Sequence, residues 1–212
     1  MSGKKKVVVI GAGASGLPSI KSCLEEGLEV VCFEKEDSIG GIWKFREGKP
    51  CSLTPGTQMN TNKLLGAYSD FPAPEKFSIY LPHRMCMEYL NLYADKFDLH
   101  SRVRLQHKVT AVSPLEDGRW EVKVTDPTGR DLIEMADGVM VCVGHDNIPE
   151  IPDLPGVDKF GGKVIHSQDY LHADNHKGER VLLVGNGNTA GDIANELSRT
   201  ADKIHEDPYD TC

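Results

Sequence analysis

The stretch KVVVIGAGASGL, residues 6–17, constrains this fold more than any other part of the chain. Lys6 to Ile10 is a short β-branched apolar run of the kind that a buried parallel strand uses. Glycines at 11, 13 and 16 follow, then SIKSCLEEGL with helical spacing, then a second apolar run from Glu29 to Phe33 closed by Glu34. The order strand, turn, helix, strand predicts a βαβ unit, with Pro18 in the helix's first turn, where a missing N–H costs little. A strand that turns sharply into a helix aims several backbone N–H groups and the positive end of the helix dipole at one spot. A diphosphate fits there if the backbone can come close. Gly11 is read as making the turn, Gly13 as admitting phosphate and Gly16 as letting helix pack on strand, with Ala12, Ala14 and Ser15 between them. Glu34, at the end of the next strand, suits a ribose 2′-OH and would repel a 2′-phosphate. The competing reading is a tight structural turn beside a solvated Glu34.

A second stretch of the same design, RVLLVGNGNTAGDIANELS, spans 180–198. Gly185 and Gly187 repeat the first two glycines, Asn188 and Thr189 follow, and Ala190 stands in the third position, where Ala is permitted, with Gly191 and Asp192 next. A strand at 180–184 and a helix near 189–198 are expected around it. Two dinucleotide turns imply two dinucleotides, the combination of a flavin enzyme reduced by a nicotinamide.

Between the turns, 44–80 is rich in Gly, Pro, Thr, Asn and Ser and reads as long loops with short helical pieces, which usually serve a site. Residues 84–97 return to helical spacing with Met85, Tyr89, Leu92, Tyr93 and Phe97 on one side, a core-facing stripe. Three extended segments follow at 102–115, 119–126 and 131–144, separated by turn signals. IPEIPDLPG at 148–156 has three prolines and marks the connector. The expected fold class is α/β: a Rossmann-like dinucleotide-binding domain with a three-stranded β excursion over 1–153, then the start of a second Rossmann-like dinucleotide-binding domain over 154–212.

Composition narrows the partners. A net charge of −8 argues against nucleic acid or an anionic membrane as the main partner, and no window has the run of about 18 apolar residues that a transmembrane segment needs. The N-terminus has too few apolar residues before the glycines for a signal peptide. Six scattered cysteines, Cys23, Cys32, Cys51, Cys86, Cys142 and Cys212, read as reduced thiols. His166, His172 and His176 lie near Asp169 and Asp174, but Ala173 follows His172 where a zinc protease needs Glu, so no metal is expected.

Several of these stretches together resemble the flavin-containing monooxygenases. GAGASGL with FEKEDSIGGIWKF is similar to their flavin-binding opening, including Gly40, Gly41, Ile42 and Trp43 after the ribose-binding acid. FGGKVIHSQDY matches their F-x-G-x-x-x-H-x-x-x-[YF] pattern at Phe160, Gly162, His166 and Tyr170, and GNGNTAGDIANELS resembles their nicotinamide-binding turn. MNTNKLLGAYSDFPAPE resembles their active-site segment, which places an Asn, here Asn60 followed by Thr61, beside the flavin. The resemblance covers nearly all of the chain.

That resemblance implies FAD on the first turn and NADP(H) on the second, so that 1–153 is a Rossmann-like FAD-binding domain and 154–212 the start of a Rossmann-like NADP-binding domain. Reaction with O₂ through a C4a-hydroperoxide would then oxygenate soft nitrogen or sulfur nucleophiles in small molecules, as in N,N-dimethylaniline monooxygenases. Asn60 is the candidate catalytic residue, able to donate and accept without acting as an acid; the alternative is an Asn capping a turn. His166 is read as structural or cofactor-positioning. Baeyer–Villiger monooxygenases share the layout but usually carry His-Thr and Trp where this chain has His166-Ser167 and Tyr170. Disulfide reductases need closely spaced redox cysteines, which the sequence lacks. The implied location is cytoplasmic, with the cytosolic face of the endoplasmic reticulum as the alternative; the oligomeric state is open.

Family chains continue well past the second turn. Here the second strand of that unit, Ala201 to Glu206, reads as barely started, and no Arg follows Arg199 to hold a 2′-phosphate. The expectation is a truncated product, splice form or fragment, marginally stable and impaired in turnover, or a non-catalytic FAD-binding chain.

Overall fold

The computed structural model describes residues 3–46, 53–145 and 148–207 of the chain. It divides into two compact units, Met1–Lys44 with Asn60–His145, and Phe45–Met59 with Asp146–Cys212. The division falls after His145, ahead of the proline connector, and residues 45–59 join the second unit, a grouping that an expected boundary at 153/154 does not contain. Cys51 and Cys212 lie outside the described residues.

Through the first unit the elements run β1 (Lys6–Ile10), α1 (Gly16–Glu25), β2 (Glu29–Phe33), β3 (Gln58–Asn62), α2 (Lys63–Gly66), β4 (Tyr80–Pro82), α3 (His83–Lys96), β5 (Val103–Arg104), β6 (Lys108–Pro114), β7 (Trp120–Thr125), β8 (Asp131–Ala136) and β9 (Gly138–Val141). β3 pairs with β4. A parallel sheet runs in the order β5-β2-β1-β9. Its central strands β1 and β2 carry buried apolar runs without alternation because both of their faces are covered. Val8, Val31 and Phe33 share one face and pack on Val122, Val124 and Ala136 of the antiparallel sheet β6-β7-β8. Val7, Val9, Val30 and Cys32 are buried on the other face, and α1, packed on β1 and β2, buries Leu17, Ile20 and Cys23.

The three extended segments expected after residue 102 resolve into five strands. Gln106 takes φ +57 and its N–H donates to the Glu36 carbonyl at 2.8 Å, which separates β5 from β6. At the other end, the Asp137 N–H donates to the Lys6 carbonyl and its carboxylate accepts the Lys6 N–H at 2.7 Å, carrying the chain from β8 into β9. Periodicity does not reveal these transfers, because both sides of each are extended. On α3 the buried stripe is Cys86, Tyr89, Leu90, Tyr93 and Ala94, while Met85, Leu92 and Phe97 are half-buried. The stripe is turned from the expected one because Tyr68 and Phe71 pack, tilted and edge-on, against the Tyr89 and Tyr93 rings.

In the second unit, β10 (Arg180–Val184) and β11 (Lys203–Asp207) form a parallel pair, with α4 (Asn188–Leu197) between them in sequence. Contrary to the expectation of a barely started strand, β11 matches β10 residue for residue, from Arg180 opposite Lys203 to Val184 opposite Asp207. Tyr170, Ile193 and Leu197 form the core, with Val181, Leu183 and Ile204 against it. Leu182 and Val184, alternating with that set, are half exposed. Among the described residues no helix is long and apolar enough to cross a membrane.

Candidate dinucleotide sites

Each glycine of the first turn answers to a different steric demand. Gly11 sits at φ +98, and a Cβ there would strike the Cys142 carbonyl. A Cβ on Gly16 would strike the carbonyl oxygen of Gly11, so helix and strand approach as closely as backbone permits. Gly13 differs: a Cβ there would meet only Gly41, its Cα at 3.5 Å, an ordinary contact.

The turn is closed by hydrogen bonds from the neighbouring strand. Gly11 N–H donates to the Phe33 carbonyl at 2.8 Å, and Ala12 N–H to Glu34 Oε2 at 2.8 Å. Glu36 N–H donates to Glu34 Oε1 at 2.9 Å. Glu34 is only 5% exposed, and its carboxylate is aimed at the turn. With two of about four lone-pair positions used, it retains acceptor capacity for sugar hydroxyls. Among the described residues, the N–H groups of Gly13, Ala14 and Ser15 meet no acceptor. These three amides lead into α1, with Ser15 as its N-cap, where the helix dipole adds positive potential. The donor set fits a diphosphate, and the carboxylate beside it fits a ribose.

The segment after β2 closes over this turn. Gly40, at φ +108, donates its N–H to the Ala12 carbonyl at 2.9 Å, and any side chain on it would collide with Met87. Gly41, Ile42 and Trp43 form a short 3₁₀ turn with Ile42 half exposed. Tyr68 also belongs to this surround, its hydroxyl donating to the Ala14 carbonyl at 2.6 Å. Nothing in a local sequence pattern points from Tyr68 to residue 14. Asn60 and Thr61 lie exposed on β3, with Thr61 Oγ1 3.4 Å from Asn60 Oδ1. The Asn that caps a helix is Asn62, which accepts from the Leu64 and Leu65 amides.

The second turn repeats the backbone of the first. Gly185 sits at φ +117 and donates its N–H to the Asp207 carbonyl at 2.9 Å, the counterpart of Gly11 and Phe33. Gly187 is the N-cap of α4, and among the described residues a Cβ on Gly187 or on Gly191 would meet no atom within 4 Å. A cleft of about 190 Å³ lies here, lined by Ser167, Gly185, Gly187, Thr189 and Ala190 among others. Asn188 opens α4. Asp192 faces a different task, accepting from Thr57 Oγ1 at 3.0 Å. One turn on, Glu196 Oε1 accepts the Gly56 N–H and Oε2 the Tyr170 hydroxyl. The sequence did not connect α4 with residues 54–57.

The F-x-G-x-x-x-H-x-x-x-Y stretch has a local structural logic. The Phe160 ring covers Gly162, where a Cβ would come within 2.7 Å of it. His166 Nδ1 accepts the Gln168 N–H at 3.2 Å and caps the 3₁₀ turn 167–169. Tyr170 is buried, stacked on His176 at 5.8 Å. His176 Nδ1 lies 2.8 Å from Glu179. Among the described residues no three His, Cys, Asp or Glu side chains are grouped to hold a metal ion.

Comparison with known proteins agrees with this geometry. The model of the flavin-binding monooxygenase-like family matches residues 4–206. The chain is 41% identical over 210 residues to flavin-containing monooxygenase 5 of Homo sapiens, covering 95% of this chain and 39% of that protein. It is 42% identical over 210 residues to dimethylaniline monooxygenase (N-oxide-forming) 2 of Macaca mulatta, covering 94% and 39%. Among solved structures, the S-allyl-L-cysteine S-oxygenase of Allium sativum superimposes with a TM-score of 0.89 at 27% identity, over 96% of this chain and 51% of that one. The chain therefore spans about two-fifths of the length of these curated relatives. Two glycine turns of one backbone design, the carboxylate seated at the first, and a family match across 4–206 together establish that this chain belongs to the flavin-binding monooxygenase-like family.

Proposed function

We propose that this chain carries the FAD-binding and NADP(H)-binding turns of a flavin-containing monooxygenase that oxygenates soft nitrogen or sulfur nucleophiles with O₂. The observation that carries the reading is the Glu34 carboxylate bonded to Ala12 N–H at 2.8 Å, beside three amides that meet no acceptor among the described residues. In this reading residues 1–153 supply the flavin domain and 154–212 the first part of the nicotinamide domain. Gly13, Ala14 and Ser15 bind the FAD diphosphate, and Glu34 accepts the adenosine ribose hydroxyls. Gly41, Ile42 and Trp43 cover that end. Gly185, Gly187, Asn188, Thr189, Ala190 and Gly191 shape the nicotinamide dinucleotide's cleft, and Asp192 braces it through Thr57. Asn60 and Thr61 present amide and hydroxyl groups to the reacting end, where Asn60 can donate and accept a hydrogen bond without transferring a proton. Bound FAD would supply the redox chemistry and the activation of O₂. The protein's part is to orient the cofactor and keep water from the reacting atoms. The reading places the chain in the cytoplasm.

A second reading is a flavoprotein chain that binds FAD without turnover. Purification followed by visible absorbance, then anaerobic addition of NADPH, separates the two. A flavin spectrum bleached by NADPH supports the monooxygenase reading, and a flavin spectrum that NADPH leaves intact supports the second. Folded protein with no affinity for FAD overturns both.

A further inference from the structure

In an α-helix each carbonyl accepts the N–H four residues on. At the start of α1 the ladder is present on either side of one gap. Leu17 N–H donates to the Gly13 carbonyl at 3.1 Å and Ser19 N–H to the Ser15 carbonyl at 3.3 Å. The bond between them, from residue 18 to Ala14, is absent because Pro18 has no N–H. The Ala14 carbonyl accepts instead from the Tyr68 hydroxyl, at 2.6 Å. Tyr68 thus replaces the donor that Pro18 removes.

We infer that Tyr68 is a positioning residue for the phosphate-binding turn, fixing the Ala14–Ser15 peptide so that the Ser15 N–H faces the diphosphate. In a trans peptide the carbonyl and the N–H point in opposite directions. A hydroxyl that holds the Ala14 carbonyl on the protein side therefore holds the Ser15 amide on the other. Tyr68 is itself held firmly. Its N–H donates to Tyr89 Oη at 2.8 Å, and the Tyr89 hydroxyl donates to the Phe71 carbonyl at 2.5 Å. Its ring lies 4.4 Å from that of Tyr93. The short 68–71 segment is pinned to α1 a second time, through Asp70 and Lys21, whose ammonium is 2.5 Å from the carboxylate and 5.1 Å from the Phe97 ring centre. Burial pushes the Tyr68 hydroxyl up from its ordinary value, so it stays protonated and able to donate across the working pH range. The inference rests on the flavin reading for its ligand, but not for the hydrogen bond itself.

Four proteins test it: the parent chain, Tyr68→Phe, Pro18→Ala and the double variant. Thermal unfolding without flavin and FAD affinity by fluorescence quenching are measured for each. Tyr68→Phe should lower the unfolding midpoint by about 3–6 °C and weaken FAD by roughly 5- to 10-fold, the scale of one hydrogen bond to an otherwise unpaired acceptor. Pro18→Ala returns an N–H to the ladder, so Tyr68→Phe should cost less than half as much in the Pro18→Ala background, in both measurements. Equal losses in the two backgrounds, or an unchanged midpoint in Tyr68→Phe, overturn the assignment. Failure of the parent chain to bind FAD overturns the flavin reading and the ligand half of the inference, while the thermal cycle still decides the Tyr68–Ala14 link.

Discussion

Glu34→Gln is a small change in shape with a large expected cost. Both carboxylate oxygens accept backbone N–H groups, from Ala12 at 2.8 Å and Glu36 at 2.9 Å. Ala12 is fully buried and Glu34 is 5% exposed, so water does not readily replace a lost partner. An amide offers one oxygen and one NH₂ group. Whichever way it turns, one backbone N–H faces a donor, and the other bond changes from charge-assisted to neutral. Hydrogen bonds to charged groups contribute about 1.5–3 kcal/mol and neutral ones about 1, so the substitution should destabilise by about 2–4 kcal/mol. In a chain of this size that is a drop of about 5–15 °C in the unfolding midpoint, and a lower urea midpoint with the slope unchanged. FAD affinity should fall at least tenfold, because the carboxylate's remaining lone pairs no longer receive the ribose. A Glu34→Gln protein within about 0.5 kcal/mol of the parent would refute the claim that this carboxylate anchors the turn.

Gly16→Ala should abolish or severely weaken folding, since its Cβ meets the Gly11 carbonyl, whereas Gly13→Ala should leave the unliganded midpoint within about 2 °C and weaken FAD selectively; circular dichroism melts with and without flavin check both. Lys63 Nζ donates to the carbonyls of Pro74, Glu75 and Phe77, so Lys63→Met should loosen 64–78 and speed limited proteolysis there several-fold. Burial pushes the Cys86 thiol up to about 11, so its contribution to stability is complete below the unfolded value near 9 and declines as pH rises through 11; unfolding midpoints between pH 8 and 11 should show the decline in the parent and a smaller one in Cys86→Ala. Cys32 is also raised by burial, so at about pH 8.5 iodoacetamide should label Cys32 and Cys86 only after denaturant is added.

Much of the first unit was legible in its chain because each decisive residue had one local reason to be where it is. KVVVI and EVVCF read as buried strands from their β-branched runs, and the glycines between strand and helix mark a close turn whose steric reasons the backbone shows at Gly11 and Gly16. The position of Glu34 followed from the length of one crossover helix. What stayed hidden depends on partners distant in sequence. Gly40 has a left-handed backbone at φ +108, and Met87 lies where a side chain on it would go. The division of 102–144 among two sheets turns on a single residue, Gln106, in an unusual conformation and on Asp137 bonding back to Lys6. Pro18 read as harmless at a helix start, and locally it is. That the carbonyl it leaves unpaired is taken up by Tyr68 is a tertiary fact that no window of sequence contains. Likewise Ala201 to Glu206 read as a strand barely started, yet backbone pairing with β10 runs from Lys203 through Asp207 although His205, Glu206 and Asp207 are polar.

The central claim is that the first turn grips the diphosphate and the adjoining ribose, and binding constants for FAD, FMN and ADP test it most directly. FMN carries the isoalloxazine ring but lacks the diphosphate linkage and the adenosine ribose. The account predicts that the chain binds FAD at least about 100-fold tighter than FMN, that ADP competes with FAD, and that Glu34→Gln removes most of that preference. Equal affinity for FMN and FAD, with no competition by ADP, would contradict it.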